Sequence, residues 1–98
     1  MGIKSFGNKG TEDVFDGKDT RNARKTCPTE LLRVARRKLE QVNAVTQLKS
    51  LAVPPGNQLE ALKGNRKGQH SIRINDQYRV CFVWSDAGAT KVEIVDYH

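Results

Sequence analysis

The sequence predicts an α+β fold of two layers, in which an antiparallel sheet packs on two to three N-terminal helices. Two patterns support this prediction. One long segment of the N-terminal half repeats apolar residues at helical spacing, whereas the segment from about residue 70 onward alternates apolar and polar residues. Because a chain of 98 residues is too short to bury two separate cores, we expect one domain over residues 1–98.

The N-terminal third is expected to contain only short elements. Residues 3–6 alternate apolar and polar side chains, which predicts a short first strand. Thr11 is a suitable N-cap for a helix of barely two turns, with Val14 and Phe15 facing inward. Residues 17–27 carry four basic side chains and almost nothing apolar, so we expect a solvated, weakly ordered connection.

One long helix is predicted after Pro28, because apolar residues recur there at helical spacing with charged residues on the opposite side. The apolar set is Leu31, Ala35, Leu39 and Val42. The charged set is Arg33, Arg36, Arg37 and Glu40. The proline pair in residues 53–56 is expected to end helical structure.

Three antiparallel strands are predicted over residues 70–74, 78–84 and 91–98. The apolar positions expected to face the helix are Ile72, Ile74, Val80, Phe82, Trp84, Val92 and Ile94. The positions expected on the opposite, open face are Arg73, Arg79, Lys91, Glu93 and Tyr97. The exposed side of the sheet should therefore be basic and aromatic.

The composition favours a polyanionic partner. The chain has 17 Lys and Arg against 11 Asp and Glu, a formal net charge of +6 and a pI of about 9.6. Nucleic acid ranks first and an anionic membrane second, since no segment approaches the roughly 20 apolar residues of a spanning helix. Cys27 and Cys81 are far apart and lack CxxC partners, so we expect reduced thiols in a cytoplasmic protein.

The residue inventory leaves metal-free RNA cleavage open. Such cleavage needs a base for the ribose 2′-hydroxyl, cations for the phosphorane and an acid for the departing 5′-oxygen. Two histidines and no acidic cluster at ligand spacing disfavour a metal-dependent nuclease, so we expect neither metal nor cofactor. His70 falls on the same face as the apolar set Ile72 and Ile74 and is expected to be structural.

Arg79 is the first candidate, because a guanidinium within an apolar strand can grip two phosphate oxygens at once. The alternative is a surface ion pair across the sheet with Glu93 or Asp96. Lys63, Arg66 and Lys67 occupy the glycine-bounded loop LKGNRKG, which could form the charged rim of an RNA cleft or simply be a solvated loop.

The C-terminal residues form the second candidate cluster. Asp96, Tyr97 and His98 combine a carboxylate, a phenol and an imidazole at the end of the last strand. Groups able to transfer protons are thus concentrated there. The alternative is a frayed chain end without a catalytic role.

The segments LEALKGNRKGQHSIRINDQYRVCFVW and VEIVDYH resemble the HigB branch of the RelE-like toxins. The resemblance is strong over residues 56–98, extends to the opening IKSF and fades through residues 8–30. It implies a small RelE-like fold and an endoribonuclease that cuts mRNA in the ribosomal decoding site, leaving a cyclic phosphate. It also implies a HigA-type helix-turn-helix antitoxin, through which operator DNA would be contacted indirectly.

The same resemblance implies roles for individual residues. Lys63 and Arg79 match positions that hold and stabilise the scissile phosphate. His98 matches the general acid or base, Tyr97 the residue that orients the nucleotide, and Asp96 a residue that sets the geometry of that end. The RNA-binding set is Arg66, Lys67, Arg73 and Asp96.

One position departs from the family pattern. Some relatives have a histidine three residues before the loop lysine, where this chain has Glu60. Glu60 could serve as the base, but its carboxylate also repels phosphate, so it ranks below His98.

Two other functions remain open at the level of sequence. The same basic surface could grip RNA or the ribosome and block translation without cleavage. A partner that only modifies an operator-bound repressor is the third possibility, and it predicts no toxicity when the chain is expressed alone.

Overall fold

In the computed structural model, which describes residues 2–96, a layer of helices covers one face of a four-stranded antiparallel sheet. The helices are α1 (Lys9–Phe15), α2 (Arg21–Thr26) and α3 (Leu32–Ala44). The strands, adjacent in chain order, are β1 (Glu60–Ala61), β2 (His70–Arg73), β3 (Tyr78–Ser85) and β4 (Gly88–Asp96). Short 3₁₀ turns occupy Thr29–Leu31, Leu48–Ala52, Pro55–Asn57 and Gly64–Arg66. The predicted α+β class is confirmed.

The first helix begins earlier than the sequence predicted. Its N-cap is Asn8, whose Oδ1 accepts a hydrogen bond from the Thr11 N–H at 2.8 Å. The expected cap, Thr11, lies inside the helix and is fully buried. Its hydroxyl accepts from the Ile94 N–H at 2.9 Å, so it joins α1 to β4 instead.

The prediction of a weakly ordered connection over residues 17–27 was wrong, because α2 forms within it. Thr20 caps this helix by accepting from the Ala23 N–H at 3.1 Å, and its hydroxyl donates to Asp13 Oδ2 at 2.6 Å. Ala23 and Cys27 are almost completely buried, which supplies the apolar contact that the composition did not suggest. Two small buried side chains and one cap are enough to order the segment.

The predicted long helix is confirmed as α3. Ala35, Leu39 and Val42 are each 0% exposed and face the sheet. Leu31 belongs to the preceding 3₁₀ turn, and α3 ends at Ala44, well before the proline pair that was expected to stop it. None of the helices within residues 2–96 has the length and apolar composition needed to cross a membrane.

The sheet follows the predicted alternation as far as one bulge. Six of the seven predicted core positions are buried, and Trp84 is half-buried. Cys81 pairs with Glu93 but Val83 pairs with Thr90, so β4 carries one extra residue. Lys91 lies at this bulge with φ of 53°, outside the regular alternation that had placed it on the open face.

Residues 3–6, where the alternation predicted a short first strand, form only isolated bridges beside β4. Parallel bridges join Ile3 to Ala89 and Phe6 to Val92. Beyond them the Thr11 hydroxyl satisfies the next N–H of β4. The outer edge of β4 is therefore covered by the chain's own N-terminal segment.

A candidate RNA-binding face on the sheet

The open face of the sheet, which points away from the helices, gathers charged residues in two neighbouring rows. Strand register places Glu60, Ser71, Cys81 and Glu93 opposite one another across β1 to β4. In the next row, Arg73 and Arg79 are direct partners across β2 and β3. Side-chain alternation on each strand therefore brings distant charges together.

Arg79 is held from several sides. Its Nε donates to Ser71 Oγ at 2.7 Å and its Nη2 donates to the Gln58 carbonyl at 2.6 Å. Glu60 Oε1 lies 3.6 Å from Nη2. The Arg79 side chain is only 11% exposed, whereas that of Glu60 is 50% exposed. The guanidinium is thus fixed in orientation, with an accessible carboxylate beside it.

Arg73 places a second guanidinium beside Arg79. Like charges directly opposite in a sheet destabilise it unless each is compensated. Asp76, in the turn between β2 and β3, forms an ion pair with Arg73, and Glu60 lies beside Arg79. The two guanidiniums thus lie on adjacent strands, and each is compensated by a carboxylate that a phosphodiester could replace.

Arg66 folds back onto the sheet and does not stand at the rim of an open loop. Its Nη1 donates to Glu93 Oε1 at 2.8 Å and to Gln69 Oε1 at 3.1 Å. Glu93, one of the two ion-pair partners considered for Arg79, is therefore engaged by Arg66. Cys81 lies next to Glu93, is 0% exposed, and burial raises the pKa of its thiol.

The remaining predicted residues are dispersed. Lys63 and Lys67 are exposed on the loop between β1 and β2. Asp96 pairs with Tyr78, so alternation directs it to the helix side of the sheet, and it accepts from Gln77 Nε2 at 3.1 Å. Tyr97 and His98 lie outside the described residues, and their roles stay predictions.

His70 takes the structural place expected of it. Its ring stacks on Phe82 with centroids 6.5 Å apart, on the helix side of the sheet. Within residues 2–96, no group of three or more His, Cys, Asp or Glu side chains is arranged to hold a metal ion.

Sequence reasoning missed the groups that orient Arg79. Ser71 could have been found, because alternation with Ile72 places it on the open face. The Gln58 carbonyl could not, because it depends on a left-handed backbone conformation with φ of 47° just before β1. Strand β1 has two residues, too few for a periodic signal.

Comparison with known proteins gives a family, two relatives and two solved structures. Residues 4–98 match the family described as RelE-like toxin of type II toxin-antitoxin system HigB. The chain is 45% identical over 62 residues to Toxin HigB-1 of Vibrio cholerae, covering 63% of this chain and 65% of that protein. It is 36% identical over 59 residues to an uncharacterized protein of Haemophilus influenzae, covering 60% and 58%. The matched region thus spans less than two thirds of either curated relative.

Two solved structures share the fold. Both are YoeB-YefM complexes from Staphylococcus aureus, with TM-scores of 0.52 and 0.53. Each alignment covers 98% of this chain and 97% of the other at 17% identity. At that identity the similarity concerns the fold alone.

Proposed function

This chain belongs to the HigB family of RelE-like toxins of type II toxin-antitoxin systems, and we propose that it is an endoribonuclease that cleaves mRNA on the ribosome. The observation that carries the proposal is the Arg79 guanidinium, fixed beside Arg73 on the open face of the sheet. Such a group can stabilise charge that develops on a phosphate without reorganising first.

In the proposed reaction the ribose 2′-oxygen attacks the adjacent phosphorus and the bond to the 5′-oxygen breaks. The 2′-hydroxyl proton passes to a base, an acid protonates the leaving oxygen, and a cyclic phosphate remains. We assign to Arg79 the stabilisation of the phosphorane and to Lys63 a second contact with the phosphate. His98 is the proposed acid or base and Tyr97 the group that orients the nucleotide.

The position of Glu60 supports the proposal that RNA cleavage depends on the ribosome. Its carboxylate lies 3.6 Å from the Arg79 guanidinium, so an arriving phosphate must compete with it. This competition weakens the binding of free RNA, because the Glu60 carboxylate beside Arg79 repels the negatively charged phosphate. A substrate held in place by the ribosome overcomes that cost through proximity.

The partner we propose is an antitoxin of the HigA type, which would carry the toxin to operator DNA. The family supports an antitoxin partner, since it is described as a toxin of a type II toxin-antitoxin system. Because the proposed substrate is ribosome-bound mRNA, the proposed location is the cytoplasm.

The test is primer extension on a reporter mRNA translated with purified ribosomes, comparing the wild type with Arg79→Ala. We expect discrete cuts that need ribosomes and fall about 10²–10³-fold in the variant, the usual effect of losing a preset charge-stabilising donor. Arg21→Ala, which removes an exposed arginine from α2, is the matched control and should cut normally. Full activity of Arg79→Ala would refute its assigned role.

The second candidate function is a binding module that blocks translation without cutting. Glu60 favours this function, because a carboxylate occupies the position where some relatives have a histidine. Toe-printing separates the two functions, since a blocker stalls ribosomes and leaves the transcript intact.

A further inference from the structure

A second recessed surface, here called the basic groove, lies in the helical layer. It measures about 370 Å³ and runs between the end of α1 and the outer side of α3. Its apolar lining is Val14, which is buried, and Leu32, which is half-buried. Its basic lining consists of Lys18, Arg33, Arg36 and Arg37. Because α3 packs on the sheet through its opposite side, the sheet separates this groove from Arg79.

One cation of the basic groove is fixed by the end of α1. Arg36 Nε donates to the Phe15 carbonyl at 3.3 Å. Its guanidinium packs against Gly17, where a Cβ would come within 3.2 Å of Arg36 Cζ. Gly17 also has φ of +78°, so glycine suits this position for two reasons. The Arg36 guanidinium is therefore held in a fixed position on the wall of the groove.

The positive charge of the groove is not neutralised by its neighbours. None of the ion pairs formed within residues 2–96 includes any of the four basic residues of the groove. Of its two carboxylates, Asp19 is already paired with Arg24 at 2.8 Å, which leaves Glu40. Arg33 and Arg37 stand one helical turn apart and repel each other. An acidic ligand would relieve this repulsion.

We propose that the basic groove binds an acidic segment of a protein partner. An apolar side chain of that segment would cover the half-buried Leu32, while its carboxylates pair with Arg33, Arg36 and Arg37. The identification of the partner as the antitoxin rests on the proposed function. A partner bound here holds the toxin from the side opposite Arg79.

The lining favours protein over RNA as the occupant. A phosphodiester backbone could use the cations but would leave the exposed apolar surface of Leu32 uncovered. Glu40 would repel each phosphate, whereas a protein segment can place a lysine or an amide against it. A recess with an apolar base and arginine walls therefore matches a side chain flanked by carboxylates.

The test measures the affinity of the purified antitoxin for the toxin by calorimetry at two salt concentrations. The double variant Arg33→Glu/Arg37→Glu should bind at least about 30-fold more weakly, as expected for hot-spot residues. The loss should be larger at low salt, where screening is weak. Lys4→Glu/Lys49→Glu makes the same change of charge at exposed positions outside the groove and should bind normally.

Ribosome-dependent RNA cleavage by Arg33→Glu/Arg37→Glu should equal that of the wild type. Equal antitoxin affinity of the two double variants overturns the groove proposal while leaving the ribonuclease intact. Unchanged antitoxin binding with lost binding of a short oligouridylate overturns it in favour of RNA. Arg33→Gln/Arg37→Gln, which removes charge without reversing it, repeats the test if the first variant unfolds.

Discussion

Ser71 and Arg79 meet across β2 and β3, with the Ser71 hydroxyl 2.7 Å from Arg79 Nε. Ser71 is fully buried, so water cannot replace its hydroxyl as the acceptor. A buried acceptor of fixed position orients the guanidinium before any RNA arrives. Ser71 is therefore a positioning residue under the proposed function, because it acts through Arg79.

Replacing Ser71→Ala should slow ribosome-dependent cleavage by about ten- to hundredfold, since a hydrogen bond to a charged group contributes roughly 1.5–3 kcal/mol. The rate of a single turnover should fall, while ribosome binding should change little. Ser71→Thr keeps a hydroxyl and should recover part of the rate. A Ser71→Ala protein that cuts as fast as the wild type would show that Arg79 keeps its orientation without this bond.

The ion pair between Arg66 and Glu93 predicts the reactivity of Cys81. Cys27 and Cys81 are both buried, and burial raises the pKa of each thiol, to about 11 for Cys27. Native protein at pH 7 should therefore react slowly with iodoacetamide at both positions. Arg66→Ala removes a positive charge that lowers the pKa of the Cys81 thiol and leaves Glu93 unpaired, so alkylation of Cys81 should slow further, measured by mass spectrometry.

Cys27 is the internal control for that experiment, because it lies in the helical layer far along the chain from Arg66. Its alkylation should be unchanged in Arg66→Ala. If both thiols become reactive together, the variant has loosened the whole fold. Faster alkylation of Cys81 alone would contradict the prediction and would mean that Arg66 acts on the thiol as a steric cover rather than through its charge.

The parts of the fold that were predictable are those with repeated patterns. Helix α3 shows its buried stripe over three turns, and the buried Ile72 and Ile74 alternate with Ser71 and Arg73 in and just after β2. Every further apolar residue at the same spacing strengthens the prediction of the helix or strand. Helix α2 has six residues and one fully buried side chain, Ala23, so its sequence shows no helical repeat of apolar residues.

The candidate site was predictable only in part, for a similar reason. Alternation placed Arg73 and Arg79 on one face, and strand register then made them direct partners. The return of Arg66 to Glu93 depends on the course of a loop, which local sequence does not determine. Lys91 was misplaced because a single extra residue shifts the alternation.

The stability of the folded protein should depend on whether the Asp13 carboxylate is protonated. Its pKa is lowered chiefly by the hydrogen bond from the Thr20 hydroxyl, with Lys9 Nζ 3.3 Å from the other carboxylate oxygen. A lowered folded pKa means that the stabilisation is complete above the ordinary value of 3.8 and is lost as pH falls below it. Asp13→Asn should therefore be less stable than the wild type at neutral pH.

The melting temperatures of wild type and Asp13→Asn, measured from pH 7 down to pH 2, should converge as the carboxylate protonates. Thr20→Val removes the donor as well as the cap of α2 and should lower stability at every pH. A constant gap between wild type and Asp13→Asn down to pH 2 would mean that the charge of Asp13 is not what links α1 to α2.

The contact between α1 and α2 should tolerate no side chain at Gly10. Alanine favours a helix over glycine by about 1 kcal/mol, so propensity alone predicts that Gly10→Ala is stabilising. A Cβ there, however, would lie 1.8 Å from Thr26 Oγ1 and 2.5 Å from the Asn22 carbonyl oxygen. The threonine could rotate, but the backbone oxygen cannot, so the two helices must separate.

We expect Gly10→Ala to lower the free energy of unfolding by about 1–3 kcal/mol, the usual cost of overpacking, measured by urea denaturation. Gly56→Ala is the matched control, because a Cβ at Gly56 meets nothing within 4 Å. That variant should be neutral or slightly stabilising, since alanine restricts the unfolded chain. If Gly10→Ala were as stable as Gly56→Ala, α1 and α2 would be packed less closely than their contact at Gly10 requires.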